Sequence, residues 1–320
     1  MPAGKMPHRE SAAFFARRSY IKPCKTVYHI GKGACQTMAA IQDITREMVF
    51  SLLPPRAPES HKGNYGKVLA VCGCAQYRGA ARLACLGALR AGAGLVTLAA
   101  PECVCAAAAP RMPEATYLCA ESREALLAAA GQYTVCLAGC GRTADTATAD
   151  EMRALLAATR GTFVLDAGGL SAIGTGVDAL APCAGRLVVT PHPGEMARLA
   201  GLSVAQVLQM PVDVARGFAG KTGAVTVLKG HRTLVATPDG RLYRNTTGNA
   251  GLARGGSGDL LAGMVAGLAA QGLSPEAAAV CGVWLHGAAA DVCAARHSMQ
   301  GMLPEDILPA LCTVFLENGR

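Results

Sequence analysis

Charged and aromatic side chains are scarce here. Asp, Glu, Lys and Arg make up 16% of the 320 residues, and Phe, Trp and Tyr only 4%. Soluble domains usually carry about 25% charged residues. A chain so poor in charge, with 51% apolar residues, is built to collapse around a core, which excludes disordered, collagen-like and low-complexity classes. Few aromatics also means few platforms for stacking bases. The formal charge of +8 does not alter this. Seven basic side chains (Lys5, Arg9, Arg17, Arg18, Lys22, Lys25 and Lys32) and one acid, Glu10, fall in residues 1–42, which leaves the rest of the chain at +2. No nucleic-acid partner is expected.

Long apolar runs are missing too. The most apolar segments are 260–270, short and glycine-rich, and 277–290, interrupted by His286. Neither reaches the roughly 18 uninterrupted residues of a membrane span, so no membrane partner is expected. Fourteen cysteines are present, but Cys72/Cys74 and Cys103/Cys105 are C-x-C pairs, and no C-x-x-C or spaced histidine completes a zinc site. Most lie in apolar runs such as Val71-Cys72 and Val135-Cys136, where cysteine acts as a small hydrophobe. That usage implies a reducing compartment and predicts a cytoplasmic protein.

Arg17-Arg18-Ser19-Tyr20-Ile21-Lys22 resembles a twin-arginine export signal, but Pro23, Lys25, His29 and Lys32 follow in place of an apolar stretch. An Arg-rich, acid-poor leader is also similar to a transit peptide. The reading adopted is a basic, flexible N-terminal extension over residues 1–43, followed by one domain over 44–320.

What is present from residue 43 onward is alternation. Apolar strands are predicted at Lys67–Val71, Leu95–Ala99, 134–138, 162–166, 187–190 and Ala224–Leu228, with helices at 79–92, Thr146–Ala158 and 203–219 between them. Pro238-Asp239-Gly240 joins strands at 233–237 and 241–244 as a hairpin. Helices at 258–271, 275–295 and 304–316 close the chain. Apolar strands alternating with helices give an α/β fold, a mostly parallel central sheet covered on both faces, with a late antiparallel hairpin at its edge.

Ligands in such folds bind beyond the carboxyl ends of strands, and four such places stand out. Gly255, Gly256, Ser257 and Gly258 lead into an apolar helix, where backbone N–H groups and the helix dipole suit an anion. Asp259 follows them, a like charge for a phosphate but well placed as a general base; an ordinary first-turn acid is the bland alternative. In Thr190-Pro191-His192-Pro193-Gly194-Glu195 two prolines hold His192 and Glu195 in fixed relation, the histidine able to donate to a substrate and the glutamate able to order Mg²⁺ or its waters. Equally, the pair could simply start a helix. Lys229-Gly230-His231-Arg232-Thr233 ends a strand with a point charge suited to phosphate. The turns at 73–80 and 139–142 are glycine-rich, but neither satisfies G-x-G-x-x-G, and there is no G-x-x-x-x-G-K-[ST].

These pieces, with His61-Lys62-Gly63-Asn64-Tyr65-Gly66, Arg78-Gly79-Ala80-Ala81 and Gly92-Ala93-Gly94, occur in an order and spacing that resembles the ADP-dependent NAD(P)H-hydrate dehydratases of the ribokinase-like superfamily. The resemblance runs from about Ile44 to the C-terminus. It implies a ribokinase-like fold and a lyase that repairs hydrated NADH or NADPH (NADHX, NADPHX): ADP, or ATP, donates a phosphoryl group to the ring hydroxyl, and phosphate elimination restores the double bond, leaving AMP. By resemblance Asp259 is the catalytic base, and Ala80, Gly141, His192 and Asp259 bind the hydrate. Lys229, Gly230, His231, Arg232 and Thr233, with Gly258, bind AMP; Gly255, Gly256 and Ser257 form the phosphate loop; Glu195 is the residue tied to Mg²⁺. The resemblance also implies a homotetramer and a separate NAD(P)H-hydrate epimerase acting in the same repair, since residues 1–43 are too few for the epimerase domain that many bacterial relatives carry. A small-molecule kinase of the same superfamily, acting on a vitamin-precursor hydroxyl, is the alternative, and a nucleotide-binding protein without activity a third. Three departures from the family pattern are Gly139-Cys140-Gly141-Arg142-Thr143 for Gly-Pro-Gly-Leu-Gly, Arg254 for threonine, and Asp166-Ala167-Gly168 for Asp-Ala-Asp.

Overall fold

The computed structural model of the protein describes residues 40–119 and 123–320. Of the predicted extension, residues 1–39 lie outside the described residues, whereas Ile41–Asp43 form a strand. The strands are β1 (Ile41–Asp43), β2 (Lys67–Val71), β3 (Leu95–Ala99), β4 (Thr116–Leu118), β5 (Val135–Ala138), β6 (Thr162–Leu165), β7 (Leu187–Val189), β8 (Ala224–Leu228), β9 (Leu234–Ala236) and β10 (Leu242–Arg244). They form one sheet in the order β1-β10-β9-β8-β7-β6-β5-β2-β3-β4. Neighbours from β4 across to β8 are parallel, the β8/β9 and β9/β10 pairs are antiparallel, and β1 adds in parallel beyond the hairpin. The chain runs outward from β2 to β4, then returns to β5 on the other side of β2. Strand order therefore reverses between β2 and β5, the kind of point where α/β sheets leave a crevice for ligands.

Alternation along each strand fills two cores. Val68, Ala70 and Cys72 pack on one face with the helices Arg78–Ala91, Ser257–Ala270 and Ile307–Leu316. Leu69 and Val71 pack on the other, with Thr146–Ala158 and Pro211–Thr222. The helix predicted over 203–219 is two helices, Val204–Gln209 and Pro211–Thr222. Pro211 has no N–H to continue the first, and Met210 before it leaves helical geometry at φ −129°, ψ 51°. The helix Pro275–Gly301 is long and apolar enough to cross a membrane by length and composition, but 72% of its most apolar window is buried inside the protein, as in a core helix. All the described cysteines are free thiols.

Small residues let the two helices nearest the ligand edge touch backbone to backbone. A Cβ on Gly263 would lie 2.0 Å from the Ala84 carbonyl oxygen, and one on Gly267 would lie 2.4 Å from that of Ala88. Gly263→Ala gains about 1 kcal/mol of helix propensity. It must nevertheless push two helices apart, so a net loss of about 1–3 kcal/mol is expected in urea unfolding. Gly217→Ala, in a helix where nothing lies within 4 Å of the added methyl, should instead stabilise by roughly 0.5–1 kcal/mol. Equal effects at the two positions would refute the packing argument.

Candidate active site

The carboxyl ends of β5 to β8 bring together residues far apart in the sequence, such as Asp166 and Lys229. Asp166, directly after β6, is 1% exposed. Its Oδ1 accepts from Thr190 Oγ1 at 2.7 Å and from Lys229 Nζ at 2.8 Å, and its Oδ2 accepts from the Cys140 thiol at 3.6 Å. Ala167, which follows, stands at φ +47°, a conformation a side chain with Cβ adopts at a cost.

Lys229 extends from the end of β8, its own N–H donating to Pro191 O at 2.9 Å. Its Nζ also lies 3.8 Å from Glu195 Oε2. Burial opposes the ammonium charge, but the Asp166 and Glu195 carboxylates outweigh it and hold Lys229 above the usual lysine range. Glu195 is 5% exposed and its carboxyl is raised, by burial first, with Lys229 pulling the other way.

His192 and Glu195 do begin a helix, Pro193–Ala200, as a reciprocal cap. His192 Nδ1 accepts from the N–H groups of Gly194 (3.0 Å) and Glu195 (3.4 Å), and Glu195 Oε2 accepts from the His192 N–H at 2.8 Å. Glu195 Oε1 lies 3.3 Å from His192 Nε2. Both glutamate oxygens are thus used inside the protein, so direct coordination of Mg²⁺ would cost the cap. His192 is half exposed and burial and Lys229 lower its pKa, so at neutral pH it is uncharged.

Asp259 sits in the first turn of Ser257–Ala270, whose N-terminus has no side-chain cap. Gly256 supplies the left-handed turn at φ +98°, where an added Cβ would strike Leu83 at 2.6 Å. Burial, then repulsion from Asp166, pushes Asp259 up to about 6. A carboxylate oxygen from each of Asp166 and Asp259 and the Cys140 sulfur lie within 4.8 Å of one another. Hydrogen bonding with Cys72 and burial hold the Cys140 thiol well above its ordinary range, so it is no thiolate ligand, and the hard oxygens of the two aspartates are the donors that suit Mg²⁺.

Beside this cluster opens a cavity of about 510 Å³, a size typical of small-molecule sites. Lys229, Gly230, His231, Thr233, Ser257, Gly258 and His192 all line it. Arg232, expected with them, is exposed and lies outside that lining, while Gly255 and Gly256 support the turn behind it. Thr233 Oγ1 accepts from the Gly230 N–H at 3.3 Å and closes the loop. Ala80 and Gly141 lie outside that lining and meet each other: a Cβ on Gly141 would lie 2.8 Å from that of Ala80.

Two of the departures from the family pattern touch each other. A Cβ at position 168 would lie 1.9 Å from the Arg142 carbonyl oxygen, so the turn as built here needs Gly168 rather than an acid. Arg142 is itself held by Glu151 at 2.5 Å. Arg254 donates from Nη2 to Gln300 O at 2.8 Å and takes no part in lining the cavity. The sequence names Asp166, Cys140 and Thr190 only as parts of their motifs and gives none of them a role. An acid closing an apolar strand, as in Phe163-Val164-Leu165-Asp166, was the available signal.

Sheet order and cleft define the class: this is a ribokinase-like protein. A ribokinase-like superfamily protein from Enterococcus faecalis V583 matches it with a TM-score of 0.79 at 28% identity, over 87% of this chain and 96% of that one. Residues 68–312 match the family described as NAD(P)H-hydrate dehydratase, and the chain belongs to that family. The ADP/ATP-dependent NAD(P)H-hydrate dehydratase from Bacillus subtilis, co-crystallised with ATP/Mg²⁺, is 32% identical with a TM-score of 0.74, over 87% of this chain and 98% of that one. A bifunctional NAD(P)H-hydrate repair enzyme from Moorella thermoacetica is 41% identical over 87% of this chain. The chain spans about half the length of such bifunctional relatives, 56% in that case.

Proposed function

We propose that this chain dehydrates NADHX and NADPHX to NADH and NADPH at the expense of a nucleotide phosphoanhydride, with ADP or ATP as donor. The observation that carries this reading is a partly buried carboxyl, Asp259, pushed up to about 6 in the uncapped first turn of the helix whose Ser257 and Gly258 line the 510 Å³ cavity. A hydroxyl is a poor leaving group and a phosphate a good one. Asp259 accepts the proton as the substrate oxygen bonds to the terminal phosphorus, and AMP departs when ADP is the donor. The carbon–oxygen bond then breaks, phosphate leaves with the bonding electrons, and loss of the neighbouring proton restores the ring double bond. First-turn N–H groups from Ser257 to Asp259 and the Lys229 ammonium stabilise the transferring charge. His192, neutral, carries its one N–H on Nε2 and turns it from Glu195 Oε1 to the hydrate, with Ala80 and Gly141 shaping its berth.

Mg²⁺, when bound, would screen phosphate charge; Asp166 and Asp259 would offer it oxygen, with Glu195 available to its waters. The free thiols and the resemblance support a cytoplasmic homotetramer that works beside a separate epimerase.

Purified protein given NADHX, Mg²⁺ and ADP should raise the absorbance at 340 nm, and omission of the nucleotide should abolish the rise. A stable phosphorylated product with no rise would mark a small-molecule kinase instead.

A further inference from the structure

One wall of the cavity is made by the helix Pro275–Gly301 and the segment after β10, and its polar side chains are nearly all committed within the protein. Asn245 Nδ2 donates to Thr247 O at 3.0 Å and to Val283 O at 3.2 Å. Thr247 Oγ1 donates to Trp284 O at 2.8 Å. Asn249 Nδ2 donates to Ala290 O and Asp291 Oδ1, and its Oδ1 accepts from the Gly251 N–H. His286 is the exception. It lines the same wall, is 6% exposed, and its Nε2 is buried without a hydrogen-bond partner.

Burial, reinforced by the Lys229 ammonium, pushes His286 down to about 4, so at neutral pH the ring carries one donor and one acceptor and no charge. A buried ring nitrogen left unpaired is costly to keep, and a polar atom of a ligand in the cavity would pair it. The character of the wall says which part of a ligand. Lys229 and the helix N-terminus at Gly258 hold the phosphate end, Lys229 Nζ lying 3.2 Å from where a Gly258 Cβ would be. His286 shares the cavity lining with Leu252, Leu261 and Val283, which suit a flat heteroaromatic ring rather than a charged group. We propose that His286 reads the nucleobase: its Nε2 accepts a hydrogen bond from the exocyclic amine of adenine, which hypoxanthine lacks, and so selects adenine. This rests on the cavity being the nucleotide site.

Calorimetric titration of the full-length protein with ADP and IDP, without turnover, tests it. Wild type should prefer ADP by roughly ten-fold, the value of one good hydrogen bond. His286→Phe should weaken ADP by about ten-fold and bring the two nucleotides within about two-fold of each other, the loss falling on Kd and KM rather than kcat. His286→Asn, smaller and still polar, should retain part of the preference and guards against a folding defect in the first variant. Equal affinity of wild type for ADP and IDP, or an equal loss of both in a folded variant, would overturn base reading while leaving the function reading intact. Wild type that binds neither nucleotide would overturn both.

Discussion

Replacing Asp259 with asparagine is expected to remove turnover by about 10³-fold or more while ADP affinity stays within a few-fold. The loss is that of a general base, a group worth roughly 10²–10⁴. The isostere keeps the helix first turn and its N–H groups, so binding of phosphate should survive. In wild type the rate should climb as pH rises through about 6, where Asp259 ionises, and level off above it. A second consequence runs opposite to the first. Because Asp259 titrates near 6 in the folded protein against 3.8 ordinarily, the folded state holds its proton more tightly than the unfolded state does. Its contribution to stability is complete below about pH 4 and is lost as pH rises through about 6. At pH 8 the partly buried carboxylate facing Asp166 is a liability on the order of 1–3 kcal/mol, and Asp259→Asn removes it. The inactive variant should therefore melt higher than wild type at pH 8, with the gap closing near pH 4. Full activity in the variant would remove Asp259 from the mechanism, and an unchanged melting curve would remove the repulsion.

Lys229→Met is expected to be damaging in a different way. Asp166 and Glu195, 1% and 5% exposed, would keep their place with no cation between them. Breaking a buried pair from one side costs about 3–5 kcal/mol. That loss should show as a lower urea midpoint, and nucleotide affinity should fall with it. The double variant Lys229→Met/Asp166→Asn removes the nearer of the two orphaned charges, so it should regain part of the stability and none of the activity. Additive losses in the double variant would show that the 2.8 Å pair does not couple the two residues.

Much of the scaffold was legible because its signals are local. The predicted strands Lys67–Val71, Leu95–Ala99 and Ala224–Leu228 and the helix Thr146–Ala158 stand where they were expected, each a run of one periodicity bounded by glycine, proline or a polar cap. The three-residue strands β1 and β4 were not expected, since so short a run becomes a strand only when a neighbour offers hydrogen bonds, β10 for one and β3 for the other. Cutting the domain at residue 43 also set β1 outside it, because a parallel edge strand contributed from before the first helix carries no local mark.

The site divides the same way. Asp259, His192, Glu195, Lys229 and Gly258 could be named from the sequence, because each sits in a turn whose glycines or prolines are unusual on their own. The sequence also determined the class of fold, through alternation of buried strands with helices. Only the tertiary structure decided that Lys229 is paired with Asp166, 63 residues earlier, that Glu195 engages the His192 N–H with one oxygen and its ring with the other, and that Gly168 answers the Arg142 turn. It alone left one ring nitrogen of His286 unpaired on the cavity wall. The physical reason is common to all four. Backbone preference and hydrophobic period act over a few residues, whereas electrostatic pairing and close packing depend on which strands the sheet sets side by side.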